Sequence, residues 1–251
     1  MIASPSFASE PAPLAIAPVA DPTLLALDCA GSACSAALWR RGHVAARRFA
    51  AMKHGQAERL LPMVAEVMRE AEIDFARLDA IAVTVGPGSF TGLRVGLAAA
   101  RGLGLAAAKP VLGVTSFAAA AAGVPAAERD QRDLLVVLDT RREDLFAQHL
   151  GPDLRPRAPA RLTVPDDLAR ALPARPLLIV GDGAAMLAPL LPAEPGIGFA
   201  AGSPHADAAC IAALAARILA GGGRGPEGPA LAPTPFYLRA PDARPPNGPA
   251  A

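Results

Sequence analysis

Gly86-Pro87-Gly88-Ser89-Phe90-Thr91-Gly92-Leu93-Arg94-Val95-Gly96 is the stretch on which the reading of this chain turns. It follows residues 80–85, an apolar run with the length of a buried strand. Pro87 and Gly88 read as a turn. Thr91 reads as the cap of a helix that continues to residue 108. The free amides at such a helix start can hold an anion. The other reading, and the commoner one for a glycine-rich turn, is a tight strand-to-helix connection with no ligand. The stretch is not a Walker A loop, because no Gly-Lys-Ser/Thr follows.

Working outward, Leu24-Leu25-Ala26-Leu27-Asp28 is an apolar run that ends at an acid, with turn residues Gly31 and Ser32 beyond it. Residues 35–39 and 44–49 are further runs, so the start reads as an antiparallel meander. Residues 57–72 have helical periodicity, and residues 110–114 form a fifth strand. Strands alternating with helices predict an α/β sheet with crossover connections. The second half opens in the same way, with Leu134-Leu135-Val136-Val137-Leu138-Asp139 and a return strand at 145–150. A duplicated strand–turn–strand opening is what the actin-like ATPase superfamily shows. Two buried strands that both end at Asp is the alternative. Beyond it, residues 165–172 read as a short helix with Pro165 in its first turn. Residues 177–180 read as a strand before Gly181-Asp182-Gly183, and residues 206–219 as an amphipathic helix ended by Gly221-Gly222-Gly223. The expected organisation is a disordered tail at 1–22, a first half at 23–115 and a smaller second half at 116–203. A C-terminal helix and segment at 204–240 return to the first half, and a second disordered tail occupies 241–251.

Composition narrows the function. The 251 residues are 52% hydrophobic and carry a net charge of +1. That charge exerts no general pull on nucleic acid or an anionic membrane. Three cysteines without a Cys-x-x-Cys pair fit a reducing cytosol, and no ligand cluster suits zinc. Pro5, Pro11, Pro13, Pro18 and Pro22 break up the first 22 residues, which contain no Lys or Arg and so do not read as a secretory signal. Arg101 interrupts the most apolar stretch, at a cost of ~3 kcal/mol in a bilayer, which argues against a membrane span.

The Gly86–Gly96 string resembles the signature of the TsaB (YeaZ) family. The resemblance extends to residues 25–28, to Ala57-Glu58-Arg59-Leu60-Leu61-Pro62, to residues 110–116 and to Pro235-Phe236-Tyr237-Leu238-Arg239. It covers roughly residues 24–125, Asp139 and the Tyr-Leu-Arg end. It implies an actin-like ATPase fold whose nucleotide machinery is degenerate. It also implies a cytoplasmic, non-catalytic scaffold that pairs with a catalytic TsaD-like subunit and a TsaE-like ATPase. In the family this complex transfers threonylcarbamoyl to the tRNA adenine beside the anticodon. The chain would then meet tRNA indirectly, through the complex, with no cofactor and no metal of its own. Whether it forms a homodimer when alone is left open.

The residues agree with missing catalysis. TsaD-like proteins carry His-x-x-x-His after the fifth strand, two ligands on one helix face. Here Ser116 and Ala120 fill those places. The four histidines, His43, His54, His149 and His205, are scattered and read as surface or cap residues. Asp28, Gly31 and Asp139 mark worn phosphate loops, and residues 139–144 have no glycine and crowd acids together. Relatives often place His before the Ala-Glu of the first helix, where this chain has Gln56, with His54 two residues earlier. The first-half helices carry surplus apolar surface, so Leu61, Ala65, Met68, Gly96, Ala100 and Gly104 are the expected partner interface. The rival functions are an active small-molecule kinase or ATPase of the same superfamily and a glycoprotease-like hydrolase.

Overall fold

The computed structural model describes residues 11–173, 176–191, 196–225 and 228–239. Strands β1 (Leu24–Asp28), β2 (Ala33–Arg40) and β3 (His43–Ala51) form an antiparallel meander. Helix α1 (Gln56–Glu70) leads to β4 (Ala80–Gly86), which pairs in parallel with β1. Helix α2 (Phe90–Ala107) leads to β5 (Val111–Thr115), parallel to β4. The first sheet is therefore ordered β3-β2-β1-β4-β5.

Short helices α3 (Ser116–Ala122) and α4 (Ala126–Arg129) carry the chain to the second half. There β6 (Asp133–Asp139), β7 (Leu145–Leu150) and β8 (Arg161–Thr163) form another antiparallel meander. After α5 (Pro165–Arg170), β9 (Leu177–Val180) pairs in parallel with β6. After α6 (Ala184–Leu187), β10 (Ile197–Phe199) pairs in parallel with β9. This sheet is ordered β10-β9-β6-β7-β8, the order of the first with each strand replaced by its counterpart. The repeated Leu-to-Asp openings are β1 and β6, the central strands of two topologically equivalent halves. This is the actin-like ATPase fold.

Every residue of β1 and β4 is buried, because helices cover both faces of the first sheet. Alternation along the strands sorts the side chains. Leu25, Leu27, Ile81 and Val83 join Leu60, Val64 and Val67 of α1 in the larger core. Leu24, Ala26, Ala80 and Ala82 face the other way, onto Ile211, Ala212 and Ala215 of α7 (Ala208–Ala220). Asp207 caps α7 by accepting from the Ala209 amide at 2.9 Å. After α7 the chain returns to the first sheet, where Gly113 N donates to Leu231 O and Phe236 N to Val85 O, each at 2.7 Å.

The expected N-terminal tail needs correction for residues 11–22. Leu14 N donates to Ala230 O at 2.7 Å, Ala232 N to Ala12 O at 2.8 Å and Val19 N to Leu219 O at 3.0 Å. Leu14 and Ile16 pack against the α7 cluster. The prolines that argued against order instead suit an extended edge segment, which needs few amide donors. The rest of that tail, residues 1–10, and the tail at 241–251 lie outside the described residues. Among the described residues, no helix is long and apolar enough to cross a membrane.

Candidate functional site

The signature turn is a junction of backbone segments. Ser89 Oγ accepts from Gly92 N at 3.1 Å and so caps α2. The cap is therefore Ser89 and not Thr91, which is an exposed residue inside the first turn of the helix. Ser89 N donates to Ala30 O at 2.7 Å, which ties the turn to the β1–β2 loop. A Cβ on Gly92 would lie 2.0 Å from Cys29 O, and one on Gly88 would lie 2.5 Å from Ala30 O. Gly86 adopts φ +120°, and a Cβ there would meet Phe236 O at 2.5 Å. These three glycines are accounted for by close backbone approach alone. Gly96 faces Cys29 and Val83, so it too serves helix-on-sheet packing. At the surface of the turn, the Arg94 guanidinium sits 3.7 Å from the Phe90 ring centroid. Tyr237 lies 5.6 Å from the same ring.

The two loops expected to be worn phosphate loops do meet. Asp28 at the end of β1 and Asp139 at the end of β6 line one cleft with Gly31, Ser32, Asp182 and His205. The chain's own side chains bridge it. Ser32 Oγ lies 2.6 Å from Asp182 Oδ2 and 3.1 Å from His205 Nδ1. Asp182 also accepts from Asp139 N at 2.9 Å. Arg141 reaches across to Gly31 O at 3.2 Å and to Lys53 O at 3.1 Å. The remaining cavity is about 30 Å³, close to the share of one water molecule and far below a ligand pocket of several hundred Å³. Asp28 is fully buried, accepts from the Thr84 hydroxyl and from Ala30 N, and has its pKa raised to about 6 by burial. Ionised Asp28 next to Asp139 and Asp182 opposes a phosphate.

Ser32 and Arg141 lie on the two loops that read as worn phosphate loops, but their bonds across the cleft are not legible in sequence, and nor is the place of His205 in it. Gly181-Asp182-Gly183 reads either as a relic of a nucleotide loop or as a plain turn, and Gly181 does adopt φ +113°. His205 is a cleft residue rather than a plain surface one. His149 pairs with Asp133 at 2.9 Å. Gln56 Nε2 donates to Met52 O at 3.2 Å and so steadies the start of α1. Among the described residues, no three His, Cys, Asp or Glu side chains are grouped to hold a metal ion.

The expected partner surface is divided by burial. Leu61 is 52% exposed and Ala65 is exposed. Met68 is only 5% exposed and Ala100 is fully buried, while Gly96 and Gly104 are buried as well. The last four belong to the chain's own core. Gly96 and Gly104 let that helix lie close to the sheet and to Val111. The outward apolar sector of α2 instead carries Ala98 and Leu105, the latter 86% exposed.

The family model described as "TsaD: tRNA N6-adenosine threonylcarbamoyltransferase" matches residues 48–155. The tRNA threonylcarbamoyladenosine biosynthesis protein TsaB of Escherichia coli K12 is 36% identical over 123 residues, 49% of this chain and 52% of that one. Its namesake from Haemophilus influenzae is 38% identical over 128 residues, again 49% and 52% of the two chains. The solved structure titled "YeaZ from Pseudomonas aeruginosa" superposes with a TM-score of 0.72 at 28% identity, over 86% of this chain and all of that one. The chain is similar to TsaB (YeaZ) proteins in both sequence and fold. The chain spans about half the length of the TsaB relatives it matches. The family-model match includes the signature turn and runs into the second half.

Proposed function

We propose that this chain is a non-catalytic scaffold subunit in the biosynthesis of threonylcarbamoyladenosine on tRNA. In this reading it pairs with a TsaD-like catalytic subunit, is joined by a TsaE-like ATPase, and meets tRNA through the complex. The observation that carries the reading is the bridged cleft. Ser32, Asp182, Asp139 and Arg141 occupy the place where an active relative would hold nucleotide phosphates. A chain that fills its own cleft contributes surface instead. The exposed Leu61, Ala65, Ala98 and Leu105 on α1 and α2 supply an apolar patch for such a partner.

The test is reconstitution. The chain alone, given threonylcarbamoyl adenylate and tRNA, should transfer nothing. Together with a TsaD-like and a TsaE-like protein from one organism, it should co-elute on gel filtration and restore transfer. Transfer by the chain alone would refute the scaffold reading. Stoichiometric ATP binding by the isolated chain in calorimetry would favour the kinase reading instead.

A further inference from the structure

A cavity with a chemical asymmetry lies away from the cleft. A cavity of about 360 Å³ opens between the end of β5, helices α3 and α7, and strand β7. Its volume falls in the range of small-molecule pockets. Val114, Ala118, Leu150, Leu154, Leu214 and Ile218 supply apolar walls, and no charged residue lines it among the described residues.

One wall does not fit that pattern. Gln148, on β7, is only 5% exposed. It lies on the same strand face as Phe146 and Leu150, which belong to the core between the halves. Its neighbour His149 points the other way and pairs with Asp133. The Gln148 amide has two donors and a two-lone-pair acceptor. This amide lines the cavity. The one other side-chain polar group in the wall is the Thr115 hydroxyl, which accepts from Ala118 N at 3.1 Å and keeps its own hydrogen to donate. Two such groups amid aliphatic walls hold water poorly, since a buried water wants two to four polar partners. They suit a molecule with one polar end and an apolar body.

We propose that this cavity is a binding site for a small neutral amphiphile of roughly ten heavy atoms. Its carboxamide- or hydroxyl-like end would pair with Gln148 and Thr115, and its hydrocarbon body would lie against Leu214 and Ile218. A charged end is disfavoured because no counter-charge lines the wall. The site is separate from the proposed partner surface on α1 and α2, so its failure would leave the scaffold reading standing.

The test uses 3-phenylpropanamide as probe and the full chain, titrated by nitrogen-15 NMR. Saturable shifts should appear at the Thr115 and Ala118 amides and at the Gln148 side-chain amide. Gln148→Leu should weaken binding about tenfold, and Gln148→Met, which keeps the side-chain length, should do the same if the leucine variant does not fold. The charged analogue 3-phenylpropanoate should bind at least tenfold more weakly than the amide. No saturable shift up to the solubility of the probe would overturn the proposal. So would unchanged affinity in a folded Gln148 variant, or shifts confined to another region.

Discussion

Ser32 Oγ, in the loop after β1, lies 2.6 Å from Asp182 Oδ2, in the loop after β9, and joins the two halves across their cleft. Asp182 accepts a second bond from Asp139 N, so one carboxylate ties both central-strand loops together. Ser32→Ala should cost about 1–2 kcal/mol, since a hydrogen bond to a charged group is lost while Asp182 keeps its other donor. Hydrogen exchange should report faster opening at the amides of residues 29–33 and 138–141. Unchanged exchange there would mean the bond does not hold the halves.

Asp28 gives the fold a pH dependence of unusual sign for an acid. Its pKa is raised from 3.8 to about 6 by burial, so the folded chain binds a proton that the unfolded chain has released. Stability should therefore fall as pH rises from about 4 to about 6 and stay lower above that. Two pKa units correspond to ~3 kcal/mol as an upper bound. Asp28→Asn keeps an acceptor for Thr84 and Ala30 without the charge. It should raise the melting temperature at pH 8, and the gain should shrink toward pH 4. A variant less stable than the parent at pH 8 would contradict this.

Two glycines of α2 should respond oppositely to alanine. A Cβ at Gly92 would sit 2.0 Å from Cys29 O, so Gly92→Ala should destabilise by more than ~3 kcal/mol through backbone displacement. Gly102 has nothing within 4 Å of that position, so Gly102→Ala should stabilise by ~0.5–1 kcal/mol through helix propensity. Chemical denaturation of both variants checks the pair.

Leu61→Glu and Leu105→Glu should fold normally, because both side chains are largely exposed. If α1 and α2 form the partner face, the same changes should abolish co-elution with a TsaD-like protein. Met68→Glu and Ala100→Glu should unfold the chain instead, since each would bury an unpaired charge in the core. Melting curves and gel filtration separate the two classes. Normal complex formation by the folded pair would place the contact elsewhere.

Deleting residues 1–19 removes three backbone hydrogen bonds and the packing of Leu14 and Ile16 on the α7 cluster. At ~1 kcal/mol per bond, the melting temperature should fall by roughly 10 °C. Deleting only residues 1–10 leaves those contacts in place and should change it little. Equal melting of the two truncations would show that residues 11–19 contribute nothing.

The sequence by itself determined the halves and their strands. Hydrophobic period and terminal aspartates are local signals, and they located β1, β6 and the alternation of strand and helix without any contact being known. The Gly86–Gly96 string likewise announced a strand-to-helix turn through Pro and Gly chemistry. What each glycine is for came only from the fold, because Cys29 O, Ala30 O and Phe236 O reach the turn from distant parts of the chain. The same limit explains the two misread helix faces. On α1 and α2 the apolar arc is wider than one sheet contact, so periodicity cannot say which edge of it faces out. Packing decided that, burying Met68 and Ala100 and leaving Leu61 and Leu105 in solvent. The bonds from Ser32 to Asp182 and His205, and from Arg141 to Gly31, have no pattern in sequence, since each spans more than a hundred residues and exists only once the two halves face each other. Gln148 is the extreme case. It reads as one polar residue in a short strand, and only the tertiary structure makes it a buried residue lining an apolar cavity.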